Sequence, residues 1–238
     1  MANKKESFWI PYADLMTVLM VIFLFISIAY MGLLQHQKKQ QDKIFEEYKE
    51  TKDNLYNELR EAFKADFIRW NLELEKDLSI KFTNPEVLFP SGKSEITPKF
   101  QQILTEFFPK YLKVIMKEKY REKIAEIRIE GHTDDVPTHE TKDPYIDNIK
   151  LSQDRSRKVL QFLRALPSYD KLNFEEEQHL QFWLTANGLS YGRTLDSEKQ
   201  LTIYSKKQID KEKSRRVEFR IITTSEKLVQ KVIEQMNK

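Results

Sequence analysis

Residues 8–34 read FWIPYADLMTVLMVIFLFISIAYMGLL, and the one acid or base between Phe8 and Leu34 is Asp14. From Val18 to Leu34 the run is apolar apart from one serine. These 27 residues reach ~40 Å as a helix at ~1.5 Å per residue, more than the ~30 Å hydrocarbon core of a bilayer. The stretch therefore predicts a single transmembrane helix over 8–34. A cleavable secretory signal would share the basic start at Lys4 and Lys5. Its apolar region would be shorter, hold no acid and end in a small-residue cleavage site, and this stretch meets none of those conditions. The architecture that follows is a short tail (1–7), one anchor, and the remaining chain on a single side of the membrane.

The chain has 238 residues, with 40 Lys plus Arg against 37 Asp plus Glu. Residues 1–34 contain two bases (Lys4, Lys5) and two acids (Glu6, Asp14), so the rest holds 38 against 35 and carries the same charge of +3. That balance gives no polybasic signature for nucleic acid. Five Gly and eight Pro exclude collagen-like and low-complexity chains. The absence of Cys removes disulfides, thiolate metal sites and Cys nucleophiles together. Lysines flank the span on both sides, Lys4 and Lys5 before it and Lys38, Lys39 and Lys43 after it, so the charge bias is blunted and by itself slightly favours placing the residues after the span in the cytoplasm.

Residues 35–78 contain neither Pro nor Gly and are dense in Lys, Glu, Gln and Asp. Ile44, Tyr48, Leu55, Leu59, Ala62 and Phe63 recur at three- and four-residue spacings, which predicts a helical linker with a narrow apolar stripe. Such a stripe suits a short parallel coiled coil between two chains, or else a solvated spacer. A compact domain is expected over 79–238, because turn signals begin at Asn84-Pro85 and Pro90-Ser91-Gly92. Strands are expected at Ile80–Phe82, Ala125–Glu130 and Arg216–Ile221, the latter two from strict alternation. Helices are expected from Pro98 to about Lys119, Leu151 to Leu166, Phe174 to Ala186 and Ser225 to Met236, the first opened by Thr97-Pro98. The fold class is α+β, with helices on one face of a sheet.

A carboxylate inside a bilayer costs at least ~2.5 kcal/mol on insertion scales, so Asp14 asks for a function. Either the helix starts near Leu15 and Asp14 is its N-cap at the interface, or Asp14 faces a partner helix and binds and releases a cation. Composition leaves both open. The string from Phe8 to Ile26, with Trp9, Tyr12-Ala13-Asp14, Thr17 and a Met- and Phe-rich helix, resembles the transmembrane motif of the B subunits of ion-driven stator units. That family includes the flagellar proteins MotB and PomB and the ZorB proteins of Zorya anti-phage systems. The resemblance implies that Asp14 carries the transported proton or sodium ion, and that the N-terminus is cytoplasmic. It also implies a multi-span motor subunit (MotA/ZorA-like) forming a ring around a dimer of this chain.

Ile129-Glu130-Gly131-His132-Thr133-Asp134-Asp135 ends a strand in a turn bearing two acids and an imidazole. A metal reading would draw on His132, Asp134, Asp135 and His139, but no helical His spacing supports it and no base or cleft for a hydrolase is visible. The bland alternative is a turn Asp satisfying local backbone donors. The four histidines need no more than surface or turn roles, and Trp70 and Trp183 fit a core. Together with Asn148-Ile149-Lys150-Leu151-Ser152-Gln153-Asp154-Arg155 and Ser214-Arg215-Arg216-Val217-Glu218-Phe219, the segment resembles the OmpA-like peptidoglycan-binding domain, over residues 86–222. The resemblance implies that Asp134 and Arg155 hold the zwitterionic end of diaminopimelate in the stem peptide, supported by Thr133, Asn148 and Arg216. A carboxylate facing an ammonium and a guanidinium facing a carboxylate make chemical sense of that pair. Two departures stand out: Asp135–Asp147 is longer and more polar than in a minimal member, and Ser214 stands where Asn is usual.

The expected protein is thus a non-enzymatic inner-membrane stator subunit, its last domain outside the cytoplasm, bound to peptidoglycan and needing no cofactor or metal. Gly188-Leu189-Ser190-Tyr191-Gly192-Arg193-Thr194-Leu195 and the membrane string resemble the phage-defence branch more than the flagellar one. The polar helix after Leu34 shows no amphipathic plug of the flagellar kind. A flagellar stator, or a passive wall tether with Asp14 only a cap, are the alternatives; a wall hydrolase lacks a visible nucleophile, base and oxyanion site.

Overall fold

The structure, a computed structural model, describes residues 10–138 and 141–236. The expected tail 1–7, the start of the span at Phe8, Trp9 and His139 lie outside the described residues. The chain forms two units, one ending at Glu46 and one beginning at Glu47.

Helix α1 (Ile10–Ala62) supplies all that is described of the first unit and the opening of the second. Among the described residues it is the one helix long and apolar enough to cross a membrane. Its apolar side chains, such as Val18, Phe23, Phe25 and Leu33, are exposed rather than covered by the chain. Helical backbone runs through Asp14 from Ile10 onward. An N-cap has helix on one side only, so the reading of Asp14 as the cap of a helix starting near Leu15 is set aside. Buried in apolar surroundings, the hydroxyls of Thr17 and Ser27 would lack partners; they bond back to Ala13 O (2.8 Å) and Phe23 O (2.7 Å).

In the second unit, α1 is followed by β1 (Leu72–Leu74), β2 (Ser79–Phe82), the one-turn α2 (Pro85–Leu88), α3 (Pro98–Ile115), α4 (Glu118–Arg121) and β3 (Ile124–His132). Then come α5 (Pro144–Arg164), α6 (Pro167–Asp170), α7 (Phe174–Trp183), β4 (Leu184–Gly188), α8 (Thr202–Ser205), α9 (Lys211–Ser214), β5 (Arg216–Thr223) and α10 (Thr224–Met236). The sheet order is β1-β2-β5-β3-β4, antiparallel except for the parallel β3–β4 pair. Thr97 caps α3 by accepting from Phe100 N (3.1 Å), and Pro98 occupies its first turn. The expected apolar face of α3, from Phe100 through Ile115, is buried throughout.

The unit starts earlier than the expected boundary at 79. Leu55, Leu59 and Phe63 are fully buried in its core, with Phe63 stacked on Phe107 at 5.0 Å and Phe107 5.0 Å from Phe219. This part of the stripe read as a seam between chains packs instead on its own domain, because α3 and the sheet offer it an aromatic surface. The expected helix over Phe174–Ala186 ends at Trp183, and Leu184–Gly188 adds an edge strand parallel to β3. Helix α5 starts at Pro144 rather than near Leu151, since Asp143 caps it by accepting from Tyr145 N (2.9 Å) and Ile146 N (3.4 Å). Trp70 and Trp183 lie in the core, as read from their spacing.

Candidate functional site

Gly131, one residue before the end of β3, pairs with Gly188 at the end of β4, and the two bring α5 unusually close. A Cβ on Gly131 would lie 2.3 Å from Ser152 O, and one on Gly188 would lie 2.4 Å from Gln153 N. With no Cβ at either position, α5 settles onto the strand ends and is pinned there. Gln153 donates to Ala186 O (2.9 Å) and accepts from Gly188 N (2.7 Å), while Ser152 Oγ accepts from Ser190 N (3.0 Å). Ser190 O in turn accepts from Thr133 N (3.0 Å). The strand end carrying Thr133 and Asp134 and the helix carrying Asn148 and Arg155 are thereby held in one register.

They open onto a cavity of about 640 Å³, lined among others by Phe89, Thr133, Asp134, Asn148, Arg155, Arg215 and Arg216. All five residues named for peptidoglycan are in that lining. Arg155 is 6% exposed, donates its Nε to Lys93 O (2.9 Å) and lies over the Phe89 ring at 5.0 Å. Burial lowers its guanidinium to about 10; the nearby Asp134 opposes that shift and the like charge of Arg215 adds to it. Asp134 Oδ1 accepts from Val136 N (3.2 Å), and Oδ2 lies 3.6 Å from Arg215 Nε. Among the described residues, Asp134 and Arg155 form no ion pair with each other. Asn148 donates to Val136 O (3.1 Å) and Pro144 O (3.0 Å), so it shapes the wall by holding the residue after the turn.

Beneath the cavity, β3 and β5 bring Glu130 opposite Glu218 and His132 opposite Arg216. His132 is 1% exposed, a correction to the surface or turn role expected for it. Its Nε2 is 3.5 Å from both Glu130 Oε2 and Glu218 Oε1. Arg216 donates its Nε to Glu218 (2.5 Å) and its Nη1 to Arg193 O (3.3 Å) and Ser214 O (3.1 Å), while Arg193 lies 3.6 Å from Glu130. Burial, with Arg216 beside it, holds the His132 imidazole below its ordinary value. Burial pushes the Glu218 carboxyl up, but His132 and Arg216 outweigh it and hold the group below the usual carboxylate range. With the imidazole kept neutral, the guanidinium at 2.5 Å is the counter-charge that matters. The ligand atoms of Glu130, His132 and Glu218 lie within 4.8 Å of one another, close enough for a metal ion. Two guanidinium groups already balance the two carboxylates, so a divalent ion would leave buried positive charge, and the cluster reads as a support for β5 and Arg216.

Ser214, at the usual Asn position, accepts from Leu195 N (3.0 Å) and donates to Asp210 O (2.7 Å), fixing the entry of β5. The residue missed by sequence reasoning is Arg215. It sits in the quoted motif between Ser214 and Arg216, where its basic side chain is the signal the sequence offers; its place beside Asp134 shows only in the fold.

The model of the OmpA family matches residues 88–175. The Zorya protein ZorB of Escherichia coli strain Crooks is 36% identical over 236 residues, covering 98% of this chain and 95% of that protein. ZorB of Escherichia coli O139:H28 strain E24377A is 28% identical over 222 residues, covering 91% of this chain and 80% of that one. Among solved structures, a MotB-like protein from Desulfovibrio vulgaris shares the fold, with a TM-score of 0.50 at 23% identity, covering 77% of this chain and 99% of that one.

Proposed function

The chain belongs to the family of the Zorya protein ZorB, and from that membership we propose that it is the wall-anchored B subunit of an ion-driven membrane motor in anti-phage defence. Its likeness to two Zorya proteins over most of its length favours this over a flagellar stator. In this reading α1 crosses the inner membrane with its N-terminus in the cytoplasm, a multi-span partner rings a dimer of the chain, and the second unit lies in the periplasm. Asp14 carries the transported proton or sodium ion. Its place inside the helix, rather than at a cap, supports that role over a passive tether.

The anchor half rests on one observation: Thr133, Asp134, Asn148, Arg155 and Arg216, from three separate segments, line a single cavity. Asp134 takes the ammonium of diaminopimelate and Arg155 its side-chain carboxylate, each by a charge-assisted hydrogen bond. A bound wall supplies the fixed frame against which the partner ring turns, and no covalent chemistry is required. The test is co-sedimentation of the protein with purified sacculi. Asp134→Ala or Arg155→Ala should reduce retention at least tenfold, as expected for losing a hydrogen bond to a charged group. Retention equal to wild type would remove the anchor assignment.

A further inference from the structure

The cavity holds more positive charge than a zwitterion can use. Its buried carboxylate is Asp134, and its guanidinium groups are Arg155, Arg215 and Arg216. Arg216 is matched by Glu218 at 2.5 Å. Glu86 also lines the cavity but is exposed to water, where its charge is screened. An ammonium on Asp134 and a carboxylate on Arg155 would therefore leave Arg215, whose side chain is 32% exposed, without a counter-charge inside the cavity. The hydrogen-bond count agrees. Arg215 Nε and Thr133 Oγ1 are both buried and make no hydrogen bond among the described residues. The contact of Arg215 with Asp134 is loose at 3.6 Å, so an arriving ammonium can take the carboxylate and release the guanidinium. The site then offers donors for one further anionic acceptor.

Resting on the reading of this cavity as a diaminopimelate site, we propose that Arg215 is a specificity-determining residue that takes a second carboxylate of the ligand, so that the site selects stem peptides ending at diaminopimelate. The chemistry of the stem makes that choice. Diaminopimelate enters the stem through its main-chain nitrogen, leaving an ammonium and a carboxylate at the far end of its side chain. Its main-chain carboxylate is free only when the peptide stops there; extension or amidation converts it to a neutral amide. The terminal residue then offers two carboxylates and one ammonium, the complement of two guanidinium groups and one carboxylate. The like charge of Arg215 that helps depress Arg155 is relieved when that second carboxylate binds.

The experiment titrates the full-length protein in detergent with three synthetic tripeptides. These are L-Ala-γ-D-Glu-meso-diaminopimelate as the free acid, the same peptide with the main-chain carboxylate amidated, and the analogue ending in lysine. Wild type should bind the acid about tenfold more tightly than the amide, the factor that one hydrogen bond to a charged group supplies. Arg215→Gln should bring the ratio of the two to about one, and Arg215→Lys should restore part of it. Equal binding of acid and amide by wild type, or an unchanged ratio in Arg215→Gln, overturns the proposal while leaving diaminopimelate recognition standing. Binding of the lysine analogue as tightly as the acid overturns the diaminopimelate reading itself, and this proposal with it.

Discussion

Replacing Gly131 by Ala places one methyl group at the contact on which the site is built. The added Cβ would stand 2.3 Å from Ser152 O and 3.1 Å from Ser152 C, both backbone atoms that cannot rotate away. Ordinary contact begins near 3.4 Å, so α5 and β3 must part by about 1 Å in a close-packed interior. Overpacking of this kind costs about 1–3 kcal/mol. For a unit of this size each kcal/mol lowers Tm by ~2–4 °C. The same displacement carries Arg155 away from Asp134, so peptide affinity falls along with stability. Scanning calorimetry of residues 47–238, with peptide titration at a temperature where the variant is folded, reads both effects. Gly192→Ala is the control, because its nearest neighbour is Tyr145 OH at 3.4 Å; its stability should stay within about 0.5 kcal/mol of wild type. A Gly131→Ala protein that melts and binds like wild type would refute the idea that glycine-permitted approach of α5 sets the site.

Two further outcomes test the buried framework. Leu59→Ala should destabilise the second unit by about 2–5 kcal/mol, with a Tm independent of protein concentration, since Leu59 is buried in its own domain; a concentration-dependent Tm would return the stripe to an interface between chains. The His132 imidazole is held below its ordinary value of 6.5, so below that pH the unfolded chain takes up a proton that the native chain refuses. Stability is thus full above about pH 7 and falls as pH drops from 6.5 toward the native value. Glu218, held below 4.5, adds a second loss of the same sign at more acid pH. In melts between pH 5 and 8, His132→Gln should flatten the first decline, and an unchanged pH profile would show that His132 is not its source.

The two alternating strands, the aromatic face of α3 and the long apolar run of α1 were legible as elements from their periodicity, but the half-buried character read from the alternation does not hold: Glu130, Arg216 and Glu218, from the polar set of β3 and β5, are buried as well. Leu55, Leu59 and Phe63 were legible as apolar, but periodicity does not say whose surface a stripe meets. Leu184-Thr185-Ala186 fits the end of a helix in sequence, because it follows Trp183 without a breaker and Gly188 stands just beyond as a stop signal. Its strand character comes from pairing with β3. Of the site, the residues carried by motif spacing do line one cavity. The burial of His132 between two glutamates was invisible in a turn-like string, since it depends on β5 arriving from residues far along the chain. Arg215 stands in the same motif, but the family resemblance places the supporting role on its neighbour Arg216.

The ion-carrying role of Asp14 is the claim on which the motor reading turns, and a single substitution reaches it. The measurement is phage protection in cells expressing the chain with its multi-span partner, comparing wild type with Asp14→Asn at matched membrane levels. The account predicts that protection is lost while membrane insertion and sacculus retention are unchanged, because the change removes the carboxylate and little else. Full protection by Asp14→Asn would contradict it and leave a wall-bound tether.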